Sequence, residues 1–341
     1  MKAVGYIQSL PISNPKSLID IELSQPTASG HDLLVQVMSI AVNPVDYKIR
    51  QNVAAENDEY KVLGWDAVGE VVAIGESVSH FKPGDKVFYA GDLNRQGSNA
   101  EYQLVDERIV GHKPKSLSDG EAAALPLTAI TAWELLFERL LIKQQHPEIK
   151  KKSNDIILIV GAAGGVGSIL VQLASALTGA TVIATASRDS SAKWVKKLGA
   201  DYVIDHSKSL VAQIEQLAIG QVTHVASLTH TDSYLDSFVE LLAPMGKIAL
   251  IDDPKSLDIS KLKFKSLSLH WEFMFTRSMF KTTDIDEQHR LLNKIADLID
   301  QGYIQTTVGK NLGTINAKNL RAAHKILESG QSIGKIVLEG F

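Results

Sequence analysis

Cysteine is absent from all 341 residues of the chain. Its absence excludes disulfides, a catalytic thiolate and every zinc site that needs a thiolate ligand. Long apolar runs are missing too. Nowhere do about 18 apolar residues stand together, so no segment reads as a membrane span and no membrane partner is expected. Positive charge is not in excess either: Lys and Arg number 35 against 39 Asp and Glu, a formal net charge of -4. Without a bulk basic field nothing is available to hold a phosphate backbone, so nucleic acid is not an expected partner. Met1 to Leu10 carries one lysine, with no long apolar core and no small-residue cleavage site. It does not read as a signal peptide, and the cytoplasm is the expected location. The 10 histidines show no His-x-x-x-His spacing, and no internal repeat or low-complexity segment occurs.

At roughly 150 residues per domain, the length predicts two domains. Hydrophobic residues at 45% and charged residues at 22% suit a folded chain. The first third reads as β-rich. Leu33–Val37, Val68–Ile74 and the stretch after Pro83-Gly84 are short strand candidates punctuated by Gly and Pro, as in a small barrel or sandwich. Glu121–Ala124 and Thr128–Phe137 read as helical. Gln144–Ser153, with Lys150, Lys151 and Lys152, reads as a solvated loop.

From Ile156 the period changes. Ile156–Val160 is a continuous apolar run, as expected for a strand buried on both faces of a parallel sheet. A helix follows with Val166, Ile169, Leu170, Leu173 and Leu177 on one face, and Gly179 is its expected C-terminal cap. Thr181–Thr185, Tyr202–Ile204, Val222–Leu228 and Ile248–Ile251 continue as strands, with a helix at Ala192–Leu198. This alternation predicts an α/β fold built on a doubly wound parallel sheet. Past Leu269, helices are expected around Leu291–Ile299 and Leu320–Leu327, and a closing strand at Gly334–Leu338.

The turn Gly161-Ala162-Ala163-Gly164-Gly165-Val166-Gly167 stands where the first strand of this series hands over to its helix. Glycines let a backbone approach a pyrophosphate, and a helix N-terminus offers free N–H groups with a partial positive charge. Ala162 replaces the first glycine of the usual Gly-x-Gly-x-x-Gly pattern. At the end of the next strand, an NAD site places an acidic residue for the ribose. Here Ala186-Ser187-Arg188 stands instead. Ser187 can donate to a 2′-phosphate and Arg188 can form a charge-assisted pair with it, so NADPH is the expected cofactor.

With Gly64-Trp65-Asp66-Ala67-Val68-Gly69-Glu70-Val71 and Gly161–Gly167, the chain resembles the medium-chain dehydrogenase/reductase superfamily. Within it, the chain is most similar to the quinone oxidoreductase branch, in the zinc-type alcohol dehydrogenase-like group. Asn43-Pro44-Val45-Asp46 with Arg50, Leu125–Ala129, His270–Arg277 and Gly334–Leu338 fit as well. The resemblance implies a GroES-like catalytic domain (1–125 and 275–341) and a Rossmann NADPH-binding domain (126–274). It also implies a homodimer joined near Leu267–His270.

Zinc-using relatives carry Cys where this chain has Asn43, His where it has Trp65, and a second Cys near Pro126. Only Asp66 remains as an acidic neighbour, and a single carboxylate cannot hold a tetrahedral zinc. No metal site is expected. Zinc-free hydride transfer suits quinones and conjugated carbonyls, whose conjugation spreads the incoming charge. The resemblance places Asn43 near the nicotinamide, where its amide would orient the ribose or the acceptor oxygen; the alternative is a local cap before Pro44. Tyr47 and Lys48 are candidate proton donors, and the branch often has Tyr at the position of Lys48. Val45 holds the place of a proton-relay hydroxyl. Thr131 matches a position close to the nicotinamide, and His206 one near the adenosine phosphate.

Trp65 reads as an aromatic wall or a core residue, and His270 as part of a buried strand. Phe273, Met274, Phe275, Met279 and Phe280 would line a pocket, a dimer contact or the core. An NADPH-dependent, zinc-independent quinone oxidoreductase is the expected function. An enoyl or enone reductase, or an NADPH-binding protein with little turnover, stands as the alternative.

Overall fold

The computed structural model describes residues 1–57 and 59–341. The chain divides into two compact units, Met1–Ile130 with Phe275–Phe341, and Thr131–Met274. The division falls inside the helix Pro126–Trp133, a few residues beyond the expected boundary at 125.

The central unit carries a six-stranded sheet. Its spatial order is Tyr202–Ile204, Thr181–Thr185, Ile156–Val160, Val222–Ser227, Leu242–Leu250, Ser268–Trp271. Every neighbouring pair is parallel. The chain begins in the middle, walks out one side and then crosses to the other, which is the doubly wound arrangement. All five residues of Ile156–Val160 are buried, which explains the unbroken apolar run. The core gathers Leu158, Ile183, Val225, Phe238 and Ile248 from several of these elements. Burying side chains of this kind contributes roughly 1.5–3 kcal/mol each.

The helix after the glycine turn, Gly165–Leu177, ends at Thr178 in an extended conformation. Gly179 is therefore not its cap. A Cβ at Gly179 would lie 2.0 Å from the Lys151 carbonyl oxygen, so the glycine is required by a crossing backbone. Ser268–Trp271 is an edge strand with one neighbour, and His270 on it is half-buried. The expectation of a buried strand there fails because its four residues lie at the end of the sheet order.

The other unit holds a seven-stranded sheet centred on the long strand Asp32–Val42. Ala67–Ile74 pairs along one edge of it. The other edge is shared: Tyr102–Asp106 pairs with its first half and Lys335–Glu339 with its second. A three-stranded sheet of Ile19–Glu22, Lys2–Tyr6 and Lys61–Val62 completes the unit. The helix Pro44–Asn52 leaves the end of the long strand directly. Among the described residues, no helix is long and apolar enough to cross a membrane.

Candidate active site

The glycine turn lies at the carboxyl end of Ile156–Val160, where the chain order of the sheet reverses. Crevices at such points take ligands in open α/β sheets. Gly161 has φ +82, a conformation that favours glycine. A Cβ on Gly167 would lie 2.5 Å from Ala162 Cα and from the carbonyl oxygens of Gly161 and Ala162. Gly167 thus lets the helix begin tight against the turn. Gly164 is the N-cap, and neither a side-chain cap nor an acidic residue covers the first turn. Gly165, Val166 and Gly167 therefore bring main-chain N–H groups and the helix dipole to an end that suits an anion.

The Gly161 N–H donates to Thr185 Oγ1 at 3.1 Å, tying the turn to the end of the adjacent strand. Ala186 follows, then Ser187 and Arg188, both exposed. Arg188 is the N-cap of the helix Asp189–Lys197, and its carbonyl accepts from Ser191 Oγ at 2.8 Å. Asp189, the first carboxylate after the strand, begins that helix. His206 follows the next strand. Its carbonyl accepts from Tyr234 Oη at 3.3 Å, and its buried Nδ1 finds no hydrogen-bond partner among the described residues. The structure thus brings Gly161–Gly167 and Ser187-Arg188 to the ends of neighbouring strands.

In the other unit three strand ends converge. Asn43 follows Asp32–Val42, Asp66 precedes Ala67–Ile74, and Lys335 begins Lys335–Glu339. The registers Ile336↔Val42 and Ala67↔Ile40 put them side by side. Asp66 Oδ2 accepts from Asn43 Nδ2 and from Lys335 Nζ, each at 2.8 Å. Its Oδ1 accepts from Leu127 N–H at 2.7 Å, in the first turn of the helix that opens with Pro126. Lys335 Nζ also donates to Asn43 Oδ1 and, at 3.2 Å, to the Val42 carbonyl. The Asn43 amide is thereby engaged at both ends, and Asn43 is 1% exposed.

Burial raises the Asp66 carboxyl, against the pull of Lys335 and the Leu127 N–H. Asp46, also buried, accepts from Asn43 N–H at 2.7 Å. Burial pushes it up to about 7, opposed by that N–H and by Lys335. Tyr47 and Lys48 come next on the same helix, Tyr47 half-buried and Lys48 exposed.

Asn43, Trp65 and Asp66 do not fit a tetrahedral zinc. The amide is saturated by charged partners, the indole is no zinc ligand, and the single carboxylate already takes three donors. Among the described residues, no group of three or more His, Asp and Glu is placed to hold a metal. Trp65 is buried, donates Nε1–H to the Asp92 carbonyl at 3.3 Å, and meets Phe275 edge-on with centroids 6.3 Å apart. Met274 and Phe275 are buried, whereas Phe273 and Phe280 are exposed. Thr131 is buried within its helix.

One cluster escapes the sequence reading. Glu134 opens a π-helical turn, Glu134–Arg139, and packs with Glu272 just past the edge strand. Arg139 Nε lies 2.8 Å from Glu272 Oε2. Burial, with Glu134 beside it, pushes the Glu272 carboxyl up, against the pull of the Arg139 guanidinium. The available signal was an acid inside each of two otherwise apolar stretches.

The family model for an alcohol dehydrogenase GroES-like domain matches residues 29–115, and that for a zinc-binding dehydrogenase matches 165–289. The chain is 41% identical over 339 residues to a zinc-type alcohol dehydrogenase-like protein of Staphylococcus aureus (strain MSSA476), covering 99% of both. Among solved structures it is similar to a Rhizobium etli CFN 42 protein described as a zinc-dependent alcohol dehydrogenase. That likeness has a TM-score of 0.95 and 53% identity, over 100% of this chain and 98% of the other. The quinone oxidoreductase of Coxiella burnetii matches with a TM-score of 0.79 and 27% identity, over 99% of each chain.

Proposed function

The chain belongs to the medium-chain dehydrogenase/reductase superfamily, and from that premise we propose an oxidoreductase that reduces quinones or related conjugated carbonyls with NADPH, without zinc. The observation that carries the reading is the pairing of an uncapped glycine-turn helix with a zinc position that cannot bind zinc. Gly161–Gly167 would hold the pyrophosphate on main-chain N–H groups. Ser187 and Arg188 would take the 2′-phosphate, since no carboxylate stands at 186–188 to repel it. Thr131 and His206 are further candidate contacts to the cofactor.

When bound, the cofactor supplies a hydride. Reduction of a conjugated acceptor then needs a proton and little Lewis-acid help. Tyr47, half-buried, and Lys48, exposed, are the proposed donors. Asn43, whose amide is occupied, acts in this reading as the N-cap residue that holds the helix through its main chain, its N–H donating to Asp46 Oδ2 and its carbonyl accepting from the Asp46 N–H. The quinone oxidoreductase among the similar structures supports the substrate class.

A homodimer is part of the proposal. Ser268–Trp271 leaves a strand edge open, and close before it in sequence Phe264 is 97% and Ile259 66% exposed.

The test follows NADPH absorbance with chelator-treated protein and a simple para-quinone. Turnover that survives the chelator supports the proposal. Turnover with enones alone moves the substrate class to the enone reductases. Bound NADPH with no turnover on either leaves a cofactor-binding protein.

A further inference from the structure

We propose that Lys335 is the positioning residue of this candidate site: its ammonium fixes the Asn43 amide, and through that N-cap sets where Tyr47 and Lys48 stand. The inference rests on the reading of those two side chains as proton donors.

An ammonium has three hydrogens. Those of Lys335 go to the Val42 carbonyl, Asn43 Oδ1 and Asp66 Oδ2. None is left for a ligand, and the residue is 3% exposed. Lys335 therefore acts through its neighbours. At Asn43 the ammonium faces the amide oxygen and the Asp66 carboxylate faces the amide nitrogen. Only one orientation of the amide satisfies both, so charge dictates it. The Asn43 main chain is held as well, by Asp46 at 2.7 Å.

Asn43 caps a helix of nine residues that opens with Pro44. Tyr47 lies four residues after the cap, one turn on and on the same face. The far end of the helix is anchored independently. Tyr6 Oη donates to the Val53 carbonyl at 2.7 Å, and Arg50 pairs with Glu328. Removing Lys335 frees the Asn43 amide but leaves the Asp46 bond to the Asn43 main chain and the far anchor in place, so the helix should shift at its first turn and remain folded. A misplacement near 1 Å at a reacting group can cost on the order of a hundredfold.

The experiment is a double-mutant cycle on kcat, with NADPH and para-benzoquinone, over wild type, Lys335→Met, Asn43→Ala and the double variant. NADPH-binding stoichiometry counts folded molecules in each. Lys335→Met should lower kcat about tenfold with the NADPH Kd unchanged. In the Asn43→Ala background it should lower kcat no further. An equal loss in both backgrounds, or an unchanged kcat, overturns the proposal. If the methionine variant does not fold, Lys335→Gln, which keeps an N–H for Asn43 Oδ1 without the charge, runs the same cycle.

A crystal structure of the folded variant gives a readout independent of turnover. An Asn43 amide and a Tyr47 in their original places overturn the inference even if the wild type reduces quinones. A displaced pair in a protein that reduces nothing supports the positioning link while the catalytic reading fails.

Discussion

A carboxyl group sealed away from water, as at Asp46, makes stability depend on pH in a defined direction. Burial lifts it from 3.8 to about 7, so the native state holds a proton that the unfolded chain releases. Its contribution is fully present below the unfolded value and is lost as pH rises through about 7. Asp46→Asn keeps an acceptor for the Asn43 N–H and removes the titration. It should therefore melt higher relative to wild type at pH 8 than at pH 5, by an increment on the order of 2 kcal/mol. Melting curves at the two pH values decide this; an equal difference at both would refute it. Arg188 offers a second test at this scale. Arg188→Ala should weaken NADPH by about 1.5–3 kcal/mol, roughly tenfold or more, and leave NADH nearly unchanged. Parallel fluorescence titrations with both nucleotides would show it, and equal losses would contradict the 2′-phosphate assignment.

Among the elements, the glycine turn separates two roles for one residue type. A Cβ at Gly167 collides with main-chain atoms at 2.5 Å, whereas at Gly164 the nearest atom, Gly161 O, is 3.5 Å away. Gly167→Ala should cost about 1–3 kcal/mol of stability. Gly164→Ala meets no clash and should lose only the fraction of stability that a poorer N-cap costs, while losing nucleotide affinity, because its methyl group would stand where a phosphate approaches. Denaturant melts with nucleotide titration separate the two. This turn, its strand and its helix are legible in the sequence, because an apolar run, a glycine cluster and a 3.6-residue period lie within 22 residues, 156–177.

The strand Leu242–Leu250 is legible only in its second half. Pro244 and Gly246 mask its start, and they fall in a register shift, where the pairing jumps from Val222↔Leu242 to His224↔Lys247. The contact of Asn43 with Lys335, 292 residues apart, leaves no local trace at all. Each residue is visible in its own motif, but their meeting depends on which strands become neighbours.

For the whole molecule, the open edge at Ser268–Trp271 and the exposed Phe264 predict association. Light scattering should give twice the chain mass of 37.1 kDa. A monomer at micromolar concentration would remove the dimer from the proposal.

The shared edge of the strand Asp32–Val42 also bears on how the protein is made. The unit Thr131–Met274 is one uninterrupted stretch, whereas the other unit is assembled from two segments on either side of it. On a ribosome, domains tend to fold as they emerge, so the central unit can be complete while half of an edge in its companion still waits for Lys335–Glu339. Until that strand arrives, Asp46 and Asp66 have no ammonium between them. A nascent chain stalled before Lys335 should thus hold a folded centre flanked by an unfinished sheet, the state in which chaperones would find it.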